Sequence, residues 1–412
     1  MKKSFFQWGP LSDRQKKVLS WWHSDSQYAK YNGIIADGAI RSGKTVSMAF
    51  SFVIWAMNSY DRMNFGMCGK TIASLRRNVL GTLKNQLRAR GYTATERRAD
   101  NLLIVSKGNR ANSFYIFGGK DESSQDLIQG ITLAGVLFDE VALMPESFVN
   151  QATARCSVAG SKFWFNCNPG SVSHWFYVGW VRKCRSRKLL YLRFTMEDNL
   201  TLTEETKARY RAMYTGLFYK RYILGLWVLA EGLVYAFEDK HITDKKPEGS
   251  EYYISIDYGT LNPFSAGLWS VTGSKAVRVR EYYYDGRNKK AQKTDEEYCD
   301  EIEKLAKGQT IAKVIVDPSA ASFITALKRR GFRVQQAENS VLDGIRRTAV
   351  YLQNGNILIH RSCVDAIREF GLYRWDEKKT SDAVIKENDH AMDDIRYFCN
   401  TVMRKKVRDI AV

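Results

Sequence analysis

The chain has 412 residues, 44% of them hydrophobic, which is enough apolar material for two or three domains with their own cores. Lys and Arg number 63 against 44 Asp and Glu, and the net charge of +19 points to a polyanionic partner, nucleic acid before an anionic membrane. No run of 18 apolar residues exists, so no membrane span is expected, while 7 scattered cysteines without a C-x-x-C pair read as reduced thiols and 5 histidines speak against a zinc scaffold.

The start, Met1-Lys2-Lys3-Ser4-Phe5-Phe6, lacks the apolar core of a signal peptide. Pro10-Leu11-Ser12-Asp13-Arg14-Gln15 opens a helix-like run to Trp21-Trp22. Gly33-Ile34-Ile35-Ala36 then reads as a short buried strand, Gly38-Ala39-Ile40-Arg41-Ser42-Gly43-Lys44-Thr45 as a loop, and Val46 to Met57 as a helix. The loop fits G-x-x-x-x-G-K-[ST], in which backbone N–H groups and a helix N-terminus cradle the phosphates of a nucleotide such as ATP. Lys44 is then expected on the β/γ-phosphates and the Thr45 hydroxyl on Mg²⁺. Gln15 stands one short element upstream, where a glutamine either reads the adenine edge by paired hydrogen bonds or simply lies on a helix surface.

Asn64 to Gly69 looks like a further strand, followed by Lys70-Thr71 and Leu75-Arg76-Arg77-Asn78, basic residues that either face DNA or form a solvated helix face. Leu102 to Val105 and Ser113 to Phe117 carry strand signals around the turn Lys107-Gly108-Asn109. Ala134 to Phe138 is a buried strand ending in Asp139-Glu140. An acidic pair so placed after a phosphate loop is the second nucleotide motif, Asp139 holding the Mg²⁺ shell and Glu140 polarising the attacking water. Phe163 to Phe165 ends in Asn166-Cys167-Asn168-Pro169-Gly170. Asn168 is expected to sense the γ-phosphate, the alternative being an Asx turn. Leu202 to Leu224 reads as one helix. A polar break at Lys245-Lys246-Pro247-Glu248-Gly249-Ser250 marks the domain boundary.

Beyond it, Tyr252 to Ile256 is a strand ending in Asp257, and two more strands, Ala266–Val271 and Ala276–Tyr282, flank Thr272-Gly273-Ser274. A helix near 294–307 and the strand Lys313–Val316, ending in Asp317, follow. Asn388-Asp389-His390-Ala391-Met392-Asp393-Asp394 starts a last helix. Acids on three separated elements suggest one divalent-metal site, Mg²⁺ or Mn²⁺, able to cut a phosphodiester with two ions. A three-stranded opening followed by α/β alternation is the plan of ribonuclease-H-like nucleases. For the third acid, the apolar stripe Ala391, Ile395, Phe398, Val402 places Asp394 on its border and Asp393 well away from it.

Taken in order, the phosphate loop, Val136–Glu140, Asn166-Cys167-Asn168-Pro169, Glu231-Gly232-Leu233-Val234-Tyr235, Ile256-Asp257-Tyr258-Gly259 and Asp389-His390-Ala391-Met392-Asp393 resemble the large terminase subunit of tailed bacteriophages, on its headful-packaging branch. The resemblance implies an α/β chain with a P-loop ATPase domain on a mostly parallel sheet (residues 1–225), a linker (226–250) and an RNase H-like nuclease domain (251–412). It implies ATP-driven translocation of double-stranded DNA through a portal into a procapsid and metal-dependent cutting of concatemers. The implied partners are the portal, the small terminase subunit and a homo-oligomeric ring, read as a pentamer, in the host cytoplasm and docked transiently at the portal vertex; no membrane is involved. It also favours Asp393 as third metal ligand, with Asp394 and then Glu281 in reserve. His390 becomes a proton-handling neighbour, or else a histidine packed on the core. Where many relatives carry an arginine before the second motif this chain has Gln129, so the arginine acting on ATP is either Arg41 in cis or Arg155 in trans. Two rivals share these residues: a helicase or repair ATPase fused to a resolvase-like nuclease, and a non-catalytic DNA-binding assembly protein.

Overall fold

Parallel strands buried on both faces read as unbroken apolar runs, and Gly33–Gly38 and Gly135–Asp139 of the first sheet are such strands. In the computed structural model, which describes residues 9–377, 379 and 382–407, that sheet holds β1 (Gly33–Gly38), β2 (Asn64–Gly69), β3 (Thr93–Arg97), β4 (Leu102–Lys107), β5 (Arg110–Gly118), β6 (Gly135–Asp139), β7 (Lys162–Asn166) and β8 (Leu189–Phe194). Met1 to Phe6, read above for a signal peptide, lie outside the described residues. The strand order is β3-β4-β5-β2-β6-β7-β1-β8, with only the β3–β4 and β4–β5 pairs antiparallel. Every residue of β1 and of β6 is buried. The helix Lys44–Ser59 has no Gly or Pro and packs Phe52 and Trp55 against Trp164 (ring centroids 5.2 and 4.8 Å), which seals one face of the sheet.

The second sheet holds β9 (Ile242–Thr243), β10 (Glu251–Asp257), β11 (Phe264–Thr272), β12 (Lys275–Tyr284), β13 (Ile311–Val316), β14 (Val334–Gln336) and β15 (Ile357–His360), in the order β14-β13-β10-β11-β12-β15-β9. The hairpin strands β10, β11 and β12 are antiparallel and the outer pairs parallel. Both sheets are therefore mixed and mostly parallel, in an α/β chain. The helix His390–Phe398 lies on this second sheet with Phe398 stacked on Trp269 at 4.0 Å.

The chain divides into two units. One takes the chain up to Ala212 together with Leu217–Leu229; the other takes Met213–Gly216 and Ala230 onward. The division thus falls before the polar break at Lys245–Ser250, because Leu233 already bridges Arg374 and Ile242–Thr243 already pairs with β15 in the second unit. The expected helix from Leu202 to Leu224 is also interrupted. It runs over Glu204–Ala212 and resumes at Gly216, whose φ of +52° lies in the left-handed region. Among the described residues no helix is long and apolar enough to cross a membrane.

Candidate active sites

Register brings the first site together. Ala36 pairs with Asn166 and Asp139 pairs with Asn166, so the C-terminal ends of β1, β7 and β6 stand side by side. Beyond β1 the loop turns at Gly43, φ +82°, which caps the helix Lys44–Ser59; a Cβ there would collide with the Gln15 amide. Arg41, φ +56°, takes the same left-handed region without being glycine, and its carbonyl is held by Asn199 Nδ2 at 2.7 Å. Inside the loop, Lys44 Nζ donates to the carbonyls of Gly38 (3.1 Å) and Ala39 (2.6 Å), to Ser42 Oγ (3.2 Å) and to Asn168 Oδ1 (3.2 Å). Burial lowers the Lys44 pKa, against the acids that face it, Glu140, Asp37 and Asp139 among them.

Thr45 Oγ1 donates to Asp139 Oδ1 at 3.2 Å, and Asn166 Nδ2 donates to both, at 2.9 and 2.6 Å. Burial, then the charge of Glu140, pushes Asp139 up to about 7. Glu140 itself sits at φ +62°, a strained backbone for a non-glycine residue, and burial raises its carboxyl while Lys44 opposes the rise. Such strain, of order 1–3 kcal/mol, concentrates at functional sites. An acid whose charge is disfavoured by burial beside a hydroxyl and a second acid is suited to a divalent cation, which reverses that penalty. Thr45 and Asp139 therefore fit Mg²⁺.

The second site follows the same logic. Ile256 pairs with Val316, so Asp257 and Asp317 leave adjacent parallel strands at one edge. Tyr397, on the helix His390–Phe398, donates to Asp317 Oδ2 at 2.9 Å and reaches Asp257 Oδ1 at 3.4 Å. Burial pushes Asp257 up to about 6; the His390 hydrogen bond opposes this and the charge of Asp393 adds to it. His390 Nδ1 lies 2.9 Å from Asp257 Oδ2; burial alone would lower its pKa, but Asp257, Asp389 and Glu369 hold it above the usual value. Asp317 is held low against burial by hydrogen bonds from Ser319, Tyr397 and Asn339.

The two acids at 393 and 394 have separate fates. Asp394 is fully buried in a pair with Arg278 and accepts from Ser255 and Ser265. Asp393 faces the site edge, one oxygen on Arg396 at 3.0 Å and the other on Lys386 at 3.2 Å. Among the described residues no three His, Cys, Asp or Glu side chains converge closely enough to hold a metal ion. The expected ligand set Asp257, Asp317 and Asp393 thus shares an edge, but its members are tied to His390, Tyr397, Lys386 and Arg396 rather than drawn onto a common point. Its donor chemistry still fits a divalent cation, since Asp257 carries the burial and like-charge cost that a cation removes.

Residues 35–242 match the family described as "Terminase large subunit, T4likevirus-type, N-terminal". The large terminase of a thermophilic bacteriophage is 52% identical, with 96% of this chain and 100% of that one covered and a TM-score of 0.86. The chain belongs to the phage large terminase family. The same thermophilic-phage protein in complex with ADP is 51% identical and with ATP-gamma-S 50%, each over 96% of this chain and 100% of that one at a TM-score of 0.82. The large terminase subunit of Escherichia phage T5 is 26% identical over 176 residues, 39% of this chain and only 38% of that subunit's length.

In this terminase, Lys44, Thr45, Asp139 and Asn168 meet at one sheet edge, with Glu140 directly after the strand. Gln15 reaches the loop from the helix Asp13–Ser20, but its Oε1 already accepts from Ser12 N at 3.0 Å in a capping box, leaving one lone pair and the amide N–H₂ for a base. Arg41 stacks its guanidinium 5.4 Å from the Tyr210 ring. Arg155 stands at the other edge of the sheet: its carbonyl takes the N–H of Leu133, just before β6 begins, so it does not reach the site of its own chain. Arg76 is tied to Glu96 at 2.8 Å, whereas Arg77 is exposed. Glu281, the reserve ligand, instead caps the helix Val364–Phe370 by accepting from Asp365 N (2.8 Å) and Ala366 N (3.2 Å).

Sequence reasoning missed several residues of both sites. Asp37, directly before the loop, is fully buried and accepts from Trp227 Nε1 (2.6 Å) and Tyr191 OH (3.0 Å). Its place next to Gly38 was the available signal. Glu369, also fully buried, accepts from Tyr283 OH and Ala391 N, each at 2.7 Å, and so braces the start of the helix that carries His390. Tyr397 stands in the Arg-Tyr pair that follows the His390-to-Asp393 motif, but nothing local in the sequence marks Glu369 or Lys386.

Proposed function

We propose that this terminase subunit is both the motor and the cutter of DNA packaging. Its first unit hydrolyses ATP to drive double-stranded DNA through the portal into the procapsid. Its second unit is an RNase H-like nuclease that cuts concatemeric DNA. The observation that carries the motor reading is the convergence of Lys44, Thr45, Asp139, Asn166 and Asn168 on one sheet edge. The thermophilic-phage relative, 50–51% identical, has been crystallised with ADP and with ATP-gamma-S, which supports a nucleotide at the corresponding loop.

In this reading the loop Gly38–Thr45 receives the phosphates, and Lys44 exchanges its contacts with the loop carbonyls for contacts with phosphate oxygens. Thr45 and Asp139 would hold Mg²⁺, which neutralises charge on the phosphates. Glu140 orients and polarises the attacking water, and Asn168, already on Lys44, reports the state of the γ-phosphate. Gln15 lies beside the base. Arg41, released from Tyr210, would be the arginine in cis; Arg155, which does not reach the site of its own chain, would act only in trans on a neighbour's.

In the second unit the antiparallel β10–β12 followed by parallel β13 and β14 supports the RNase H-like reading. Asp257, Asp317 and Asp393 would hold Mg²⁺ or Mn²⁺, which activates water and stabilises the leaving oxygen of a phosphodiester. His390 holds a proton against Asp257. The net charge of +19 suits the DNA backbone. The partners are the portal, the small subunit and further copies in a ring, read as five, docked from the host cytoplasm.

Portal-dependent packaging of DNA by the full chain tests the reading as a whole. Lys44→Ala should lose nucleotide binding, since Lys44 offsets ground-state phosphate charge, while Glu140→Gln should bind ATP and hydrolyse it poorly. Full turnover by Glu140→Gln would remove Glu140 from the chemistry. Plasmid cleavage with Mn²⁺, with Asp257→Asn as the inactive control, tests the second site.

A further inference from the structure

Lys386 lies just before the helix His390–Phe398. Its ammonium stands 3.1 Å from Asp389 Oδ2 and 3.2 Å from Asp393 Oδ2. The Lys386 side chain is 62% exposed, whereas those of Asp389 and Asp393 are 6% and 10% exposed. The other oxygen of Asp393 belongs to Arg396, which is itself nearly buried and anchored by a 2.6 Å hydrogen bond to the Asn339 carbonyl. Asp393 therefore carries two cations of different kinds. Arg396 is locked in the interior. Lys386 reaches in from solvent on a flexible stem, and the oxygen it covers is the one not committed to Arg396. Asn388, between Lys386 and the helix, sits at φ +52°, in the left-handed region.

Resting on the nuclease reading above, we infer that Lys386 is the stand-in cation of the cutting site. It neutralises Asp393 while no divalent ion is bound, and it must leave Oδ2 before that oxygen can ligate one. The metal then competes with an internal ammonium, and the residue sets how much free metal the site requires. Lys386 is a positioning residue in this scheme; it need not touch DNA.

The test is Mn²⁺ binding to the full chain without nucleotide, read from the electron paramagnetic resonance of free Mn²⁺, with Asp257→Asn defining the nuclease-site signal. Lys386→Met keeps the stem and removes the charge. Ion pairs made by a mostly exposed lysine are worth enough for Lys386→Met to bind Mn²⁺ about three- to tenfold more tightly than the parent. Lys386→Arg, which restores a cation, should return to the parent affinity. The Mn²⁺ concentration for half-maximal plasmid cleavage should fall by the same factor in Lys386→Met. Unchanged or weaker binding by Lys386→Met overturns the inference and leaves the nuclease reading standing, provided Asp257→Asn still abolishes binding and cutting. A parent chain that binds no more Mn²⁺ than Asp257→Asn and cuts no plasmid overturns both.

Discussion

Replacing Asp394 by asparagine takes one charge out of a closed cluster. The carboxylate accepts from Arg278 through both nitrogens and from Ser255 and Ser265, and neither Asp394 nor Arg278 has any exposed side-chain surface. An asparagine keeps one acceptor and turns the other atom into a donor, which then faces the Arg278 guanidinium or the Ser265 hydroxyl. Arg278 cannot give up its proton, so its charge stays buried with, among the described residues, only Glu281, 3.7 Å away, to balance it. Breaking one partner of a buried pair costs roughly 3–5 kcal/mol; with Glu281 remaining, the lower end, about 3 kcal/mol, applies. For a unit of this size that lowers its unfolding temperature by about 6–12 °C. Asp393 is itself nearly buried, 10% exposed, between the interior Arg396 and the mostly exposed Lys386; an asparagine keeps one acceptor and leaves Arg396 its Asn339 carbonyl, so Asp393→Asn should cost less than Asp394→Asn, about 1–2 kcal/mol. Calorimetry of the full chain, with plasmid cleavage measured well below the transition, separates the two. Asp393→Asn should show the smaller fall in unfolding temperature and lose cutting; Asp394→Asn should show the larger fall and cut at a reduced rate. Arg278→Met combined with Asp394→Leu should recover much of the lost stability. Normal stability with abolished cutting in Asp394→Asn would refute the assignment and make Asp394 the ligand.

Asp37 is pushed by burial from 3.8 to about 6, so the stability it contributes is fully present below about pH 4 and lost as pH rises through about 6. Asp37→Asn should therefore be more stable than the parent at pH 8 by up to about 3 kcal/mol, with the gap closing near pH 4 in denaturant titrations; a gap independent of pH contradicts the argument. Asp139, raised to about 7, must lose its proton to hold Mg²⁺, so Mg²⁺-supported nucleotide affinity should rise about tenfold from pH 6 to 8, and Asp139→Asn should flatten the profile. DNA binding should be directed at the backbone: neutralising about 6 phosphates costs on the order of a thousandfold in affinity between 50 and 200 mM salt, and a flat salt response would count against it.

The parts of this terminase legible in its sequence are those with fixed local spacing. A buried strand, a Gly-rich turn and a helix specify Gly38–Thr45 within a dozen or so residues, and each strand-end acid, Asp139, Asp257 or Asp317, announces itself at the end of an apolar run. The contacts that finish the sites are not local. Trp227 reaches Asp37, Tyr397 reaches Asp317, and Arg278 reaches Asp394 only after the sheets have formed. The break at Met213–Thr215 escaped because Gly216 carries no turn partner in sequence. The division after Leu229 falls inside the linker, 226–250, that the resemblance implied, while the two-residue strand Ile242–Thr243 within it gives no periodic signal. At 393 and 394, helix geometry and family resemblance disagreed. The apolar stripe leaned towards Asp394 as the ligand, and that acid is buried against Arg278. The resemblance favoured Asp393, which pairs with Arg396 and Lys386.

A raised carboxyl pKa does not by itself separate an acid that works from one that braces. Asp37, Asp139, Asp257 and Glu369 are all pushed up to about 6 or 7, and in each burial is the largest cause. What differs is the rest of the surroundings. Asp37 and Glu369 receive hydrogen bonds from Trp227 and Tyr191, and from Tyr283 and the Ala391 amide, donors fixed in the interior that cannot be exchanged for a ligand. Asp139 and Asp257 instead have another acid among the causes of their shift, Glu140 in one case and Asp393 in the other. A buried carboxylate whose charge is further disfavoured by a second acid is stabilised by a positive charge nearby. In this chain Lys44, Lys386 and Arg396 supply that charge, and of these Lys44 and Lys386 are the groups that a phosphate or a divalent cation would have to move.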